Sequence, residues 1–506
     1  MTAATAIALA VIVPAVTALL LPLFAGRPNI REATTLAGAV ILFATVLQLL
    51  PAVLGGETPS LAVWRVVPGL EIAFAVEPLG MLFALIASGL WIVNSIYSIG
   101  YMRAEAAHRQ TLFYVCFALA LAATMGIALS GNLFTLFLFY ELLTFTTWPL
   151  VTHRATPEAR AAGRLYLMML FGASTVLLLP AIAWTGILAG TLDFTVGGIL
   201  AGKVGEVGIG VLLALFVFGT AKAAVMPLHF WLPAAMVAPT PVSALLHAVA
   251  VVKAGVFTIL KVLVYVFGVD TLAGSWSADW LVVAAGVTIL CASLIALRQD
   301  NLKRRLAYST VSQLSYVVLG AALFTPLAIL GAALHIAAHA VSKITLFFAA
   351  GSLHIGAHVD EVSRMNGVGR KMPWTMGAFA IGALSMIGVP PTAGFLGKWF
   401  ILLAAVQIGE WFAVAVIVAS TLLNAGYFLP ILYRAFALPA RSDAEAGDVR
   451  ESPWPMVVSL VVTAAITVLI FLWPGVPFDL AEMLAGNATI DAGGSGIVEF
   501  PDGGGP

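Results

Sequence analysis

Apolar segments long enough to cross a lipid bilayer follow one another along almost the whole of this chain. Of its 506 residues, 61% are hydrophobic and 9% are charged. The apolar runs repeatedly reach about 20 residues, the length of a membrane-spanning helix. The run from Leu165 to Leu188 is largely apolar on all sides, whereas a strand of a membrane barrel alternates polar and apolar residues. The sequence therefore predicts an all-α integral membrane protein and excludes a soluble domain.

Polar breaks divide these runs into 14 candidate spans, which begin near residues 3, 33, 77, 111, 132, 163, 207, 240, 279, 305, 327, 373, 411 and 453. The basic residues outside the spans support this division. Connections after odd-numbered spans hold all of them except Arg65 and Lys203. Because Lys and Arg concentrate in cytoplasmic loops, both termini are predicted to lie on the outer side of a prokaryotic cell (inner) membrane.

The two ends of the chain and its cysteines allow simple interpretations. The run from Ala3 to Phe24 follows no basic segment and is long for a secretory leader, so a retained span is predicted, with a cleaved leader as the alternative. Cys116 and Cys291 match no metal or redox spacing and are expected to pack as small apolar residues. The Gly-rich acidic tail from Gly475 is predicted to be disordered or to form a docking strand for a neighbour.

Six Lys and Glu residues lie inside predicted spans, although a charge at the bilayer centre costs about 2.5 to 3.5 kcal/mol on insertion scales. Five are lysines, which in apolar surroundings can take up or release a proton, whereas arginine stays charged. They therefore predict a proton path. The six are Glu141, Lys222, Lys253, Lys261, Lys343 and Lys398.

Two spans carry helix breakers at their centres, and each break has a lysine beside it. In the seventh span Pro227 follows Lys222, and in the twelfth Pro390 and Pro391 precede Lys398. Proline disrupts a helix, and freed carbonyl groups at membrane depth are tolerated where they face protein or a cavity. Breaks five spans apart indicate two inverted repeats around an ion site, with ordinary proline kinks as the alternative.

Glu141 and Lys222 are predicted to act as a pair across helices. A carboxylate beside Lys222 favours the charged lysine, and drawing the two apart releases the proton. The alternative is a fixed buried ion pair that sets the register of the helices. In the eighth span, His247 and Lys253 lie six residues apart, about 120° around a helix, and are expected to flank one cavity. Lys261 lies nearer the end of that span and is expected to extend to the interface.

His335, His339 and Lys343 follow one another at i, i+4 and i+8, which places them on one face of the eleventh span. Side chains one turn apart can pass a proton, and histidine titrates in the useful range. A metal site and histidines bonded to backbone carbonyls are the alternatives. The polar tenth span, from Tyr308 to Tyr316 and including Gln313, either holds a water chain beside this face or bonds helix to helix.

Two segments of the chain resemble those of a known family. Ala221 to Ala248, followed by Lys253, and Asn301 to Leu314 are similar to signature segments of the antiporter-like membrane subunits. These subunits are shared by Mrp-type cation/proton antiporters, respiratory complex I and membrane-bound hydrogenases. Lysine at position 398 resembles the Mrp D subunit or the N-type complex I subunit, since the M-type has glutamate there.

The resemblance implies a core of 14 helices with two inverted five-helix repeats, helices 4 to 8 and 9 to 13, and broken helices 7 and 12. The implied division is residues 1–110, 111–267, 268–440 and 441–506, which hold helices 1 to 3, the two repeats, and helix 14 with the tail. The implied proton-transfer roles are a pair (Glu141, Lys222), a centre (Lys253), a relay (His335, His339, Lys343) and an exit (Lys398).

The leading hypothesis is a Mrp D-like subunit, most simply a transporter and not an enzyme, that couples proton movement to Na⁺ or another monovalent cation. It is expected to work with other membrane subunits, without nucleic acid, metal or cofactor. The alternatives are the proton-pumping subunit of a complex I-like or hydrogenase redox complex, the membrane subunit of an inorganic-carbon uptake complex, and a carrier of organic solutes.

Overall fold

The computed structural model describes residues 1–67, 69–439 and 449–488. These residues form long helices and one two-stranded antiparallel hairpin, β1 (Ser60–Val67) with β2 (Leu70–Ala75). The helices are α1 (Ala3–Phe24), α2 (Pro28–Leu54), α3 (Pro78–Ala104), α4 (Gln110–Ala128), α5 (Leu133–Val151), α6 (Pro157–Ala189), α7 (Glu206–Gly219), α8 (Thr240–Phe267), α9 (Trp276–Arg298), α10 (Leu302–Ala322), α11 (Pro326–Ala357), α12 (Pro373–Ile387), α13 (Ala393–Gln407), α14 (Trp411–Phe436), α15 (Trp454–Leu472) and α16 (Gly475–Gly486).

Most of these helices have the length and composition of membrane spans. Within the described residues, 11 helices are long and apolar enough to cross a bilayer, and α7, α12 and α13 are shorter apolar helices. α10 has 21 residues, but the buried hydroxyl and amide groups that it carries make it less apolar. The prediction of a helical multi-pass membrane protein is confirmed. The hairpin of β1 and β2 is an element that the helical pattern did not predict.

Side-chain caps fix where several helices begin. The Asn132 side chain accepts a hydrogen bond from the Thr135 amide at 2.8 Å at the start of α5, and its Nδ2 donates to the carbonyl of Glu71 in β2 at 2.9 Å. The Glu77 carboxylate accepts from the first amides of α3. These caps satisfy backbone donors that a helix start leaves free. The hairpin thus ties the start of α5 to the start of α3.

The helices differ in how deeply they lie in the bundle. The most apolar window of α8 is entirely buried inside the protein and that of α11 is 94% buried, whereas α1 and α15 are each 33% buried. α1 and α15 therefore leave apolar surface for lipid. α8 and α11 form the core, and they carry most of the ionisable residues predicted to move protons.

Helical conformation is lost at both proline-containing segments. After α7 the chain makes one 3₁₀ turn, Ala221–Ala223, and Ala224 then takes a left-handed conformation with φ of 56°. After α12, Gly388 has φ of 93°, and α13 begins at Ala393. Each interruption leaves backbone carbonyl groups outside a helical ladder. At the first, Nε1 of Trp231 donates to the Ala221 carbonyl at 3.0 Å, and at the second, Lys398 donates to the carbonyls of Met386 and Ile387.

The prediction for the tail is wrong over its first part. Residues from Gly475 to Gly486 form α16, which packs on α3 and α11. Leu480 and Leu484, one turn apart, are both buried, and this apolar face stabilises the helix. The rest of the predicted tail, 489–506, lies outside the described residues.

Candidate functional site

Lys222 lies in the 3₁₀ turn that follows α7 and is fully buried. Its Nζ donates to the carbonyl oxygen of Tyr140 at 2.8 Å and to Oγ1 of Thr144 at 2.7 Å, and it lies 3.2 Å from the centroid of the Tyr140 ring. Gly255 on α8 permits this packing, because a Cβ there would lie 2.2 Å from the amide nitrogen of Ala223. The break after α7 thus places the Lys222 ammonium group against α5.

Glu141 is the neighbour of Tyr140 on α5, and its side chain is buried. It lies near Lys222 and the Ser174 hydroxyl, but that hydroxyl donates to the Leu170 carbonyl at 2.8 Å. Among the described residues, neither carboxylate oxygen of Glu141 has a donor at ordinary hydrogen-bond geometry. The two residues are therefore near each other but not in contact. The Lys222 ammonium group is thus held by neutral oxygen atoms and not by the carboxylate.

Lys253 on α8 contacts α11 directly. Its Nζ lies 2.6 Å from Nδ1 of His339, and both side chains are fully buried. The His335 ring is the next along α11, with its centroid 6.3 Å from that of His339. Nε2 of His339 and Nδ1 of His335 have no partner among the described residues. Each histidine therefore has one ring nitrogen that is free to accept or release a proton.

His335 connects the core to the second helix break. Its Nε2 lies 3.1 Å from Oε1 of Gln313, and Nε2 of Gln313 donates to the carbonyl oxygen of Met386 at 3.3 Å. Nζ of Lys398 donates to the same carbonyl at 2.6 Å and to that of Ile387 at 3.1 Å. The carbonyl groups at the end of α12 therefore hold Lys398 and join it to the histidines.

The packing at this second break is unusually close. A Cβ at Gly397 would lie 2.7 Å from Cβ of His335, so glycine lets α13 approach α11. A cavity of about 300 Å³ borders Lys398 and is lined mainly by apolar side chains, among them Trp399 and Leu422. Lys398 thus lies between the buried histidines on one side and an open cavity on the other.

Lys343 reaches the same carbonyl by a second route. Its Nζ donates to Oγ of Ser309 at 2.9 Å, and this hydroxyl lies 3.0 Å from Oη of Tyr427. Tyr427 donates to Oδ1 of Asn424, whose Nδ2 donates to the Met386 carbonyl at 3.3 Å. The two routes form one buried hydrogen-bonded network on α10 to α14, which we call the lysine network. It consists of Lys343, Ser309, Tyr427, Asn424, Met386, Gln313, His335 and Lys398.

His247 stands apart from these bonds. It is fully buried on α8, and neither ring nitrogen has a partner among the described residues. Its ring centroid lies 4.7 Å from that of Phe347, and Lys343 and Lys303 are both within electrostatic range. His247 is also within electrostatic range of His339.

The helix breakers stand beside the lysines that they were expected to position. Pro227 follows the turn that holds Lys222, and Pro390 and Pro391 fill the gap between α12 and α13. Lys261 departs from expectation, because it is fully buried and does not reach the interface. Its Nζ forms an ion pair of 2.9 Å with Glu77 and donates to the Ser130 carbonyl at 2.8 Å.

Three partners of the buried lysines were not predicted from the sequence: Asn424, Tyr427 and Glu77. An Asn inside the apolar run of α14 was the signal for the first two, since an amide in a membrane span needs a partner. Glu77 precedes Pro78 at a helix start, which is the pattern of an N-terminal cap. None of the three carries a positive charge, the feature that makes a lysine in an apolar run conspicuous.

Comparisons with known proteins identify the family of this chain. Residues 130–424 match the family model described as NADH:quinone oxidoreductase/Mrp antiporter, TM. The chain belongs to this family. The prediction from the two signature segments is therefore confirmed, and the matched range contains every predicted proton-transfer residue.

Relatives of the family resemble most of the chain. The N subunit of the NADH-quinone oxidoreductase of Desulforudis audaxviator is 33% identical over 414 residues, which cover 81% of each chain. The D subunit of the Na(+)/H(+) antiporter of Alkalihalophilus pseudofirmus is 30% identical over 64% of this chain and 65% of its own length. A chain of the Mrp complex from Dietzia sp. DQ12-45-1b has the same fold, with a TM-score of 0.86 at 24% identity and coverage of 96% and 98%. The match thus spans less than two thirds of the Alkalihalophilus protein.

Proposed function

We propose that this protein is a proton-translocating antiporter subunit that couples H⁺ movement to Na⁺ or another monovalent cation. One observation carries the proposal: within the described residues, the lysine network joins a lysine of α11 to a lysine of α13 through histidine, hydroxyl and amide groups. Its two lysines and His335 are the members that can take up or release a proton, and the hydroxyl, amide and carbonyl groups between them hold these side chains in place. His339, the neighbour of His335 on α11, contacts Lys253.

The proposed order of transfer follows the positions of the ionisable groups. Lys222 is the gated carrier, Glu141 sets when it releases its proton, and Lys253 is the centre. His247, His335, His339 and Lys343 relay protons between the halves of the protein. Lys398, at the end of the lysine network, is the proposed exit.

The finer architecture belongs to the same proposal. We infer 14 membrane crossings, with α12 and α13 forming one broken crossing, and two inverted repeats of five crossings at 111–267 and 268–440. The remaining parts are 1–110 and 441–506. The two helix interruptions, each with a lysine against it, support the repeats. The loop distribution of Lys and Arg supports an orientation with both termini outside a prokaryotic inner membrane.

Partner subunits are also proposed. The Alkalihalophilus relative is described as one subunit of an antiporter, and the Dietzia structure is described as a complex. We infer that this chain assembles with other membrane subunits in the same way. Lysine at position 398 is compatible with a D-like role within such an assembly, and equally with an N-like role in a redox complex.

Proteoliposomes that contain the protein with its native partners test the function. An imposed Na⁺ gradient is expected to drive proton movement that a pH-sensitive dye reports inside the vesicles. Vesicles with choline in place of Na⁺ are the control. Equal proton movement with and without a gradient of Na⁺, K⁺ or Li⁺ contradicts cation coupling.

A second function is favoured by the relative with 33% identity, which is described as belonging to NADH-quinone oxidoreductase. In that case the same buried groups pump protons for a redox complex whose electron carriers lie in other subunits. Purification from native membranes distinguishes the two functions. Iron–sulfur or hydrogenase subunits in the purified complex support redox coupling, and small membrane subunits alone support antiport.

A further inference from the structure

Ser385 on α12 binds two other helices of the second half through one oxygen atom. Its Oγ accepts a hydrogen bond from the amide of Gly394, in the first turn of α13, at 2.9 Å. The same Oγ accepts a hydrogen bond from the hydroxyl of Ser342 on α11 at 2.7 Å, and both serines are fully buried. We call Ser342, Ser385 and Gly394 the serine clamp. None of its members belongs to the lysine network.

The serine clamp supplies a hydrogen-bond partner at the start of α13. The first amides of a helix have no acceptor within the helix and are often bound by the side chain of the residue before it. Thr392 occupies that position, but its hydroxyl donates to the Val389 carbonyl at 2.6 Å and does not cap α13. Ser385 takes this role from the preceding helix. The beginning of α13 is therefore fixed to α12 across the interruption at Pro390 and Pro391.

Two glycines let the three helices pack closely at the serine clamp. A Cβ at Gly394 would lie 1.9 Å from the carbonyl oxygen of Ser385, so alanine does not fit there unless α13 moves. A Cβ at Gly382, three residues before Ser385, would lie 3.2 Å from the carbonyl oxygen of Ser342. Both oxygens belong to the backbone and cannot rotate aside. Close packing of this kind transmits a displacement from one helix to the next.

The residues that follow Ser385 bind the side chain of Lys398. Ser385 holds the amide of Gly394, and the carbonyl groups of Met386 and Ile387 accept from Nζ of Lys398 at 2.6 and 3.1 Å. Gly394 and Lys398 are four residues apart, about one turn, and lie on the same face of α13. Three consecutive residues of α12 thus hold two successive turns of α13. A shift of the first turn therefore moves the ammonium group relative to the Met386 carbonyl.

The first helix break holds its lysine in a different way. Lys222 donates to the carbonyl of Tyr140 and to the hydroxyl of Thr144, both on α5. Its position depends on a neighbouring helix, whereas the carbonyl acceptors of Lys398 belong to the helix that the break interrupts. The geometry of the second break, which the serine clamp fixes, therefore determines where Lys398 lies.

We propose that Ser385 is a positioning residue for proton transfer at Lys398 and that Ser342 ties this role to α11. The Ser385 hydroxyl holds α13 where Lys398 reaches the Met386 carbonyl, at which both branches of the lysine network meet. Ser342 precedes Lys343 on α11, so the clamp also fixes the two lysines of the network relative to each other. The inference rests on the proposed proton transport and adds a residue that acts through the placement of α13.

Amide hydrogen exchange tests the serine clamp without measuring transport. The full chain is compared with Ser385→Ala, and mass spectrometry with peptide fragmentation follows the amide of Gly394. Its exchange is expected to be about tenfold faster in Ser385→Ala, because the amide loses its acceptor. Ser88→Ala on α3 is the matched control, since among the described residues that buried hydroxyl bonds only to carbonyls of its own helix. Equal exchange in all three proteins overturns the clamp.

Proton flux in proteoliposomes that contain the native partners tests the positioning role. Ser385→Ala is expected to lower the initial rate about fivefold, because it removes both hydrogen bonds of the clamp. Ser342→Ala leaves the Gly394 amide bound and is expected to lower the rate about twofold. Ser88→Ala is expected to keep the wild-type rate. Equal losses in Ser385→Ala and Ser88→Ala indicate damage to packing and overturn the positioning role.

The pH dependence of the flux separates a positioning role from a general loss of folded protein. His335 and Lys343 on α11 are within electrostatic range of Lys398, and the Tyr316 ring on α10 lies 4.7 Å from its Nζ. These neighbours are unchanged in Ser385→Ala, and only the bonds to the carbonyl groups are altered. The alkaline limb of the flux–pH curve is expected to move about one unit lower, because an ammonium group that loses acceptors releases its proton more easily.

The outcomes distinguish this inference from the proposed function. Faster exchange in Ser385→Ala together with wild-type flux overturns the positioning role. A lower rate with an unshifted flux–pH curve also overturns it, because loss of folded protein lowers the rate alone. A wild-type protein that moves no protons contradicts the proposed function instead, and the exchange result still decides the clamp.

Discussion

Lys253 and His339 lie in direct contact, with 2.6 Å between Nζ and Nδ1. A hydrogen bond at this distance needs one donor and one acceptor, so either the lysine donates to an unprotonated Nδ1 or the imidazole donates to a neutral amine. The pair therefore shares a single proton between α8 and α11. This shared proton links the first half of the chain to the lysine network of the second half.

Replacing His339 tests the sharing of that proton. His339→Phe keeps an aromatic ring of similar size but removes both nitrogens, so the proton flux is expected to fall about tenfold or more. Flux in proteoliposomes measures the effect. Thr258→Val on α8 is the control, because among the described residues the Thr258 hydroxyl bonds only to the Ala254 carbonyl of its own helix. Equal losses in both variants indicate damage to packing and contradict a relay.

Because Glu141 and Lys222 are not in contact, we expect replacing Glu141 to lower proton flux less than replacing Lys222. Lys222→Met is expected to abolish flux, because it removes the carrier. Glu141→Gln is expected to slow flux about tenfold, since removing a nearby charge in a protein interior shifts a proton equilibrium by ~1.4 kcal/mol or more. Initial rates under one proton gradient measure both. Wild-type rates in the two variants exclude the pair from transport.

The hydroxyl of Tyr427 bridges Ser309 and Asn424 and so joins Lys343 to the Met386 carbonyl. Tyr427→Phe removes this bridge with little change in volume, and the rate is expected to fall about fivefold, the equivalent of ~1 kcal/mol for one hydrogen bond. Tyr433→Phe, on the exposed side of the same helix, is the matched control. Unchanged flux in Tyr427→Phe removes this branch from the proposed route.

The ion pair of Lys261 and Glu77 is expected to stabilise the fold. Glu77 also caps α3 and accepts a hydrogen bond from Tyr265 at 3.2 Å, so its carboxylate binds four donors, the Lys261 ammonium group among them. Glu77→Ala is expected to cost about 3 to 5 kcal/mol, because it leaves the Lys261 charge buried and unpaired. Thermal unfolding in detergent measures the loss. The double variant with Lys261→Met is expected to recover part of it, and failure to recover contradicts a pair-specific effect.

The helical fold could be predicted because a membrane leaves few alternatives. Apolar length and the distribution of Lys and Arg both follow from the bilayer, and Pro227 and Pro390 indicate the interruptions. The hairpin before α3 could not be predicted, because β1 is exposed and lacks an alternating pattern. Helix α16 was missed because glycine and acidic residues outweighed two leucines in its composition.

The candidate site was predictable in its charges and less so in its contacts. Charged residues in apolar runs are visible in a sequence, which identified Lys253 and Lys398. Their partners include a histidine 86 residues away and the backbone carbonyl of Met386, and no local pattern encodes such contacts. The prediction that Lys261 extends to the interface was wrong for the same reason, since its partner Glu77 caps a helix that is distant in sequence.

Proton flux through Lys253→Met is the sharpest test of a proton path between α8 and α11. The variant, with its native partners, is reconstituted beside the wild type at equal protein density, and a pH-sensitive dye inside the vesicles follows the response to a cation gradient. We expect proton flux in the wild type and none above that of empty vesicles in Lys253→Met, with unchanged thermal stability. Wild-type flux in a correctly folded Lys253→Met protein contradicts proton transfer through Lys253.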